Sequence, residues 1–181
     1  DVDGRRIRAR QILIATGGKP KRPAVPGIEH AITSDEAFDL PVFPQRVLIV
    51  GGGYIAVEFA GIFNGLGAEV TLSYRGERIL RGFDDDVRRH LQEEMGKKDI
   101  SILLKSTVAR LDRQADARLL ASFTGASEGA LPFDAVMYAT GRAPNLGSLD
   151  PAAAGVELAP GGGIRVDAWS RTSVSNIYAV G

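Results

Sequence analysis

The chain has 181 residues, 44% hydrophobic and 24% charged, the composition of an ordinary soluble globular protein with room for one large domain or one domain plus pieces of a neighbour. Lysine plus arginine and aspartate plus glutamate number 22 each, so no net field favours nucleic acid or a membrane surface. Cysteine is absent and the only histidines are His30 and His90, which excludes a disulfide framework, a thiolate zinc site and a thiol nucleophile within this chain and offers too little for a metal centre or a Ser-His-Asp machine.

The apolar stretches are strand-length or broken by polar residues and glycine, so none is expected to span a bilayer. No secretory signal pattern is present, and the expected location is cytoplasmic. The chain starts at Asp1 without a methionine and stops at Gly181 directly after the apolar run Ile177-Tyr178-Ala179-Val180. Both ends read as excision points in a longer polypeptide.

Arg6 to Arg10 alternates charged and apolar residues and continues into Ile12-Leu13-Ile14-Ala15-Thr16-Gly17-Gly18. This predicts a strand that becomes buried and ends in a glycine turn. The segment 19–45 holds Pro20, Pro23, Pro26, Pro41 and Pro44 and reads as connector, with a short helix begun at Ser34-Asp35-Glu36. Val47 to Val50 is a continuous apolar strand, the kind buried on both faces of a parallel sheet. Gly51, Gly52 and Gly53 follow, then a helix from Tyr54 to about Leu66, closed by Gly65 and Gly67. Glu69 to Tyr74 is the next strand and Arg75 to Phe83 a polar loop. Asp84 is the expected N-cap of a second helix, with Asp85 and Asp86 facing the positive end of its dipole. Short strands are predicted at Ile100–Leu104, Thr107–Leu111, Leu119–Phe123 and Ala135–Tyr138, the middle pair antiparallel. Gly147 to Gly163 is loop-rich, and Arg165 to Gly181 is expected to return to strand. The order describes an α/β fold: a doubly wound, mostly parallel Rossmann-like sheet with an inserted antiparallel β-meander.

The chemistry concentrates at Gly51-x-Gly53-x-x-Ala56, between a strand and a helix. Gly51 permits the tight turn, Gly53 lets the backbone approach a pyrophosphate, and Ala56 keeps the helix close to the sheet. The pyrophosphate would sit at the helix N-terminus, where free N–H groups point outward. Enzymes that use NAD place an acid about 20 residues after the glycines to bind the ribose 2′-hydroxyl. Tyr74 stands there instead, followed by Arg75, Arg78 and Arg81. Guanidinium groups grip phosphate through paired hydrogen bonds, so this loop predicts NADPH, with Arg78 the arginine closest to a merely solvated one. The helix after the glycines is apolar almost all round, which predicts burial. Its one charge, Glu58, would then require a cation or a polar site. Two strands end alike, Ala15-Thr16-Gly17-Gly18 and Ala139-Thr140-Gly141-Arg142, a form that lets backbone approach a flat ligand.

The segment from Gly51 to Gly61, the loop Tyr74-Arg-Gly-Glu-Arg-Ile-Leu-Arg-Gly-Phe-Asp84, Ala139-Thr-Gly-Arg-Ala-Pro-Asn145 and the closing Ile177-Tyr-Ala-Val-Gly181 together resemble the class I pyridine nucleotide–disulfide oxidoreductases. Within that family the resemblance points in particular to the branch that reduces oxidised glutathione. The resemblance covers nearly the whole chain. It implies that residues 1–22 end an FAD-binding domain, 23–45 link it to an NADPH-binding domain over 46–145, and 146–181 return into the FAD-binding domain. It implies that Tyr54 is a gate over the nicotinamide side of the flavin and that Glu58 pairs with a flavin-site lysine outside this segment. Arg75 and Arg81 would clamp the 2′-phosphate of NADPH. Gly76 stands where the family often has histidine or glutamine, leaving the clamp two groups rather than three. Gly51, Gly52, Gly53, Ile55 and Gly141 would line the dinucleotide, and Thr16, Gly17 and Arg142 would lie beside FAD. The redox cysteine pair and the catalytic histidine lie outside the segment, so no catalytic residue is assigned within it. The reaction implied for the full-length enzyme, a homodimer through a C-terminal domain, is electron transfer from NADPH through FAD and a redox disulfide to glutathione disulfide. The branch that reduces trypanothione disulfide shares a very similar arginine loop, and a non-catalytic dinucleotide-binding module is the alternative of a different class.

Overall fold

The computed structural model describes residues 4–181. Residues 1–3, which open the expected 1–22 segment, lie outside the described residues. The chain divides into two compact units, one formed by Asp1–Lys19 with Arg142–Gly181 and the other by Pro20–Gly141.

The larger unit is built on strands β3 (Arg46–Val50), β4 (Glu69–Tyr74), β5 (Ser101–Leu104) and β9 (Ala135–Tyr138), all parallel in the order β5-β4-β3-β9. Helix α1 (Tyr54–Gly65) joins β3 to β4, and α2 (Asp85–Lys97) joins β4 to β5. Because successive side chains of a strand point to opposite faces, β3 feeds two cores. Val47 and Ile49 pack with Ala56, Phe59, Phe63 and Met95 from the helices. Leu48 and Val50 pack with Val108, Leu111, Phe123 and Phe133, which belong to the antiparallel meander β6 (Ser106–Arg113), β7 (Leu119–Gly125) and β8 (Gly129–Phe133). Burial on both faces explains the unbroken apolar run, and each fully buried Val, Leu or Ile contributes roughly 1.5–3 kcal/mol relative to exposure.

In this unit four local expectations differ from the structure. Strand β8, which contains Gly129 and Pro132, is not among the predicted strands. It lies at the edge of the meander, where a missing N–H costs no ladder bond. Helix α1 is buried on one face only: Ala56, Phe59, Ala60 and Phe63 face the sheet, whereas Tyr54, Glu58 and Ile62, with Leu66 just past its end, are exposed. The sheet meets one side of the helix, so Glu58 is not the buried charge that its apolar neighbours suggest. The segment 23–45 is more than connector, because Ala31 and Thr33 are buried and Ile32 bridges to Met137 in parallel. The short helix near Ser34 is a 3₁₀ turn, Glu36–Phe38.

In the smaller unit, β1 (Ile12–Ile14) pairs in parallel with β11 (Ile177–Ala179), and β2 (Gly18–Pro20) pairs with β10 (Arg142–Pro144). The charged alternation at 6–10 is not strand, since the partner strand β11 is only three residues long. Most of 165–176 is likewise not strand. The Asp167 carboxylate accepts the N–H groups of Trp169 at 2.8 Å and Arg171 at 2.9 Å, a local side-chain turn that competes with extended pairing. No helix among the described residues is long and apolar enough to cross a membrane.

Candidate functional site

The glycine turn sits at the C-terminal ends of β3 and β9. A Cβ on Gly51 would meet the Ala139 carbonyl oxygen at 2.4 Å, and its φ of 148° also favours glycine. Gly51 N–H donates to Ser73 at 2.9 Å and Ala139 N–H to Val50 at 2.8 Å, so the turn is sewn to the strands on both sides. Ala56 is fully buried, which brings the start of α1 against the sheet. Space is open in front of Gly53, where an added Cβ would touch nothing within 4 Å. No side chain caps that end of the helix, leaving first-turn N–H groups to meet an anion from outside.

Tyr54 and Glu58 lie one helical turn apart on the solvent side of α1. Tyr54 is 57% exposed, and Glu58 forms no ion pair among the described residues. Ile55 is half-buried. Gly141, three residues after the end of β9, has φ 122° and accepts the Lys21 N–H at 2.9 Å. Ala139, two residues earlier, lies against Gly51, so Gly141 is close in sequence to the strand end that supports the turn.

The arginine loop contacts this turn. Leu80 N–H donates to the Gly52 carbonyl at 2.6 Å, with Leu80 buried and at φ 54°. A non-glycine residue in the left-handed region costs of order 1–3 kcal/mol and persists only where the surroundings impose it. Arg75 and Arg81 are both exposed, and neither forms an ion pair among the described residues. Arg78 differs, lying 3.8 Å from Asp85. Of the three loop arginines, two therefore present unneutralised guanidinium groups to solvent.

Two residues that organise this site are not evident from the sequence. The Tyr74 ring fills the space beside both Gly52 and Gly76, where an added Cβ would come within 2.5 Å of it in either case. Arg88, on α2, donates to loop carbonyls at 2.8 and 3.0 Å. Nothing in the sequence separates it from Arg89, which pairs with Asp86 on the helix surface.

The smaller unit holds a second candidate site, a cavity of about 600 Å³ lined by Ile14, Thr16, Gly17, Gly18, Arg142, Pro144, Ala179 and Gly181, among others. Parallel pairing of β1 with β11 places their ends together, and Val180 N–H donates to Ile14 at 3.0 Å. The Gly17 carbonyl accepts the Asn145 N–H at 2.9 Å, and the Arg142 guanidinium donates to the Gly18 carbonyl. Thr16, Gly17 and Arg142 thus line one cavity. Its lining combines glycine and apolar side chains with the Arg142 guanidinium, the mix of apolar walls and few polar groups common to cofactor sites. The stretch 163–170 also contributes to its wall, which its turn-rich sequence does not announce.

The family model described as pyridine nucleotide-disulphide oxidoreductase matches residues 1–181. A glutathione reductase from Burkholderia cepacia is 51% identical over 180 residues, covering 99% of this chain and 39% of that protein. A trypanothione reductase from Trypanosoma congolense is 45% identical, covering 97% of this chain and 36% of that protein. Among solved structures, the HOCl-induced flavoprotein disulfide reductase RclA from Escherichia coli superposes with a TM-score of 0.88 at 30% identity, covering 97% of this chain and 40% of that one. The chain spans about two fifths of the length of these relatives.

Proposed function

This chain belongs to the pyridine nucleotide-disulphide oxidoreductase family, and from that premise we propose that it is the NADPH-binding portion of a flavin-dependent disulfide reductase whose substrate is oxidised glutathione. The observation that carries the nucleotide choice is the pair Arg75 and Arg81, exposed and unneutralised just beyond β4, where an NAD enzyme would hold an acid. In this reading the two guanidinium groups grip the 2′-phosphate. The uncapped start of α1, opened by Gly51, Gly52 and Gly53, receives the pyrophosphate, with Ile55 and Gly141 lining the dinucleotide. Tyr54 is the gate over the nicotinamide side of the flavin, and Glu58 meets a lysine supplied by the rest of the protein. The exposure of both residues supports these roles, since a gate and a partner-seeking carboxylate need an open face.

FAD is assigned to the cavity lined by Thr16, Gly17 and Arg142, so that 1–22 and 146–181 contribute to a flavin-binding domain and 46–145 to the NADPH-binding one. The cofactors supply the hydride and electron chemistry, ending at a redox-active disulfide outside this chain. This chain's residues supply orientation and phosphate selectivity. The full-length protein is read as a cytoplasmic homodimer. The 51% identity to a glutathione reductase supports glutathione disulfide as substrate. The 45% identity to a trypanothione reductase favours trypanothione disulfide as the second reading.

The test is to assay the full-length protein with NADPH and NADH, using glutathione disulfide and trypanothione disulfide in turn. Replacing Arg75 and Arg81 by glutamine is expected to weaken NADPH binding about 10- to 100-fold per arginine, since hydrogen bonds between charged groups contribute roughly 1.5–3 kcal/mol each. Equal losses for the two nucleotides would sink the phosphate-clamp reading.

A further inference from the structure

The structure assigns Arg88 as a positioning residue that holds the arginine loop in its phosphate-gripping shape, an inference that rests on the NADPH reading above. Arg88 lies in the first turns of α2 with its side chain only 18% exposed. Its Nε donates to the Ile79 carbonyl at 2.8 Å and one terminal nitrogen to the Arg78 carbonyl at 3.0 Å. The other terminal nitrogen donates to Asp85 Oδ1 at 2.6 Å. The guanidinium therefore grips two successive loop carbonyls with one edge of its planar fork and is itself fixed by a carboxylate.

Those two carbonyls lie at the bend between Arg75 and Arg81. Immediately after them the backbone enters the left-handed region at Leu80 (φ 54°), and the Leu80 N–H reaches the Gly52 carbonyl at 2.6 Å. Ile79 is wholly buried, so the bend has an apolar anchor below and a charged one at its carbonyls. Arg81 follows directly and is exposed. Without Arg88 the two carbonyls lose charge-assisted partners, and the strained turn loses what helps impose it. The loop would then have to be ordered by the nucleotide on binding, which costs affinity. Lysine cannot replace the fork, because an ammonium is a point donor without the rigid spacing needed for two neighbouring carbonyls.

The test compares adenosine 2′,5′-bisphosphate with adenosine 5′-monophosphate by titration calorimetry on the full-length protein. These probes differ only in the 2′-phosphate. Arg88→Ala is expected to weaken the bisphosphate roughly 10-fold, the lower end of the loss expected for an arginine that touches phosphate. The monophosphate should weaken far less. Arg88→Lys is expected to fall between wild type and Arg88→Ala, and it carries the test if the alanine variant does not fold. In steady-state assays the change should sit in KM for NADPH rather than in kcat. An unchanged bisphosphate affinity, or equal weakening of both probes, would overturn the assignment. Arg75→Gln and Arg81→Gln serve as the reference. If they fail to separate the probes, the NADPH reading itself fails. If they separate them and the Arg88 variants do not, only the positioning role is lost.

Discussion

The ring of Tyr74 occupies the place a side chain on Gly76 would need: a Cβ there would lie 2.5 Å from Cε1 of the ring. The same ring excludes a side chain from Gly52, so one aromatic residue at the end of β4 packs against both the glycine turn and the arginine loop. The ring thus leaves room only for glycine at position 76. Backbone conformation is not the reason, since Gly76 is not in the left-handed region.

Gly76→Ala is therefore expected to destabilise by about 1–3 kcal/mol, the range for overpacking a filled site, and to weaken NADPH binding as the loop shifts. In a Tyr74→Ala background the same substitution should cost little, because the obstructing ring is gone. Thermal midpoints of the two single variants and the double variant give the coupling directly. Additive losses would show that something other than the ring excludes the side chain.

Tyr138 lies at the end of β9 within the second core, 3% exposed, and its hydroxyl has no hydrogen-bond partner. Burial pushes the phenol up to about 12. A buried donor without a partner costs about 1–3 kcal/mol. Tyr138→Phe is expected to raise stability by about 1 kcal/mol in urea unfolding with an unchanged slope. A loss of stability would mean that the hydroxyl is satisfied by bound water.

Glu36 is held well below the usual carboxylate range, at about 2 rather than 4.5, chiefly by the Thr33 hydroxyl and next by the Thr33 N–H, with Arg22 adding to both. The bonds measure 2.6, 2.7 and 2.9 Å. A carboxylate depressed in the folded state contributes stability that is present above its unfolded value. That contribution is lost as pH falls from about 4.5 through about 2. Thermal midpoints of Glu36→Gln are expected to fall less steeply over this window than those of wild type. Parallel slopes would remove Glu36 from the acid response.

The sequence by itself carries the parallel sheet and the glycine turn because both rest on local signals. Val47 to Val50 is apolar at every position, Gly51-x-Gly53-x-x-Ala56 follows at once, and Asp84 caps α2 with bonds from Asp86 and Val87 N–H, as its place before a helix suggests. Arg75, Arg78 and Arg81 are legible as a basic loop, but which of them is neutralised depends on Asp85 arriving from the next helix. Three features were decided only in three dimensions: the one-sided burial of α1, the packing of Ala31 and Thr33 into the core, and the grip of Arg88 on two loop carbonyls. In each case the deciding contact joins elements whose approach no periodicity records. A side chain's type announces what it can bond, but only the folded backbone determines which partner comes within reach.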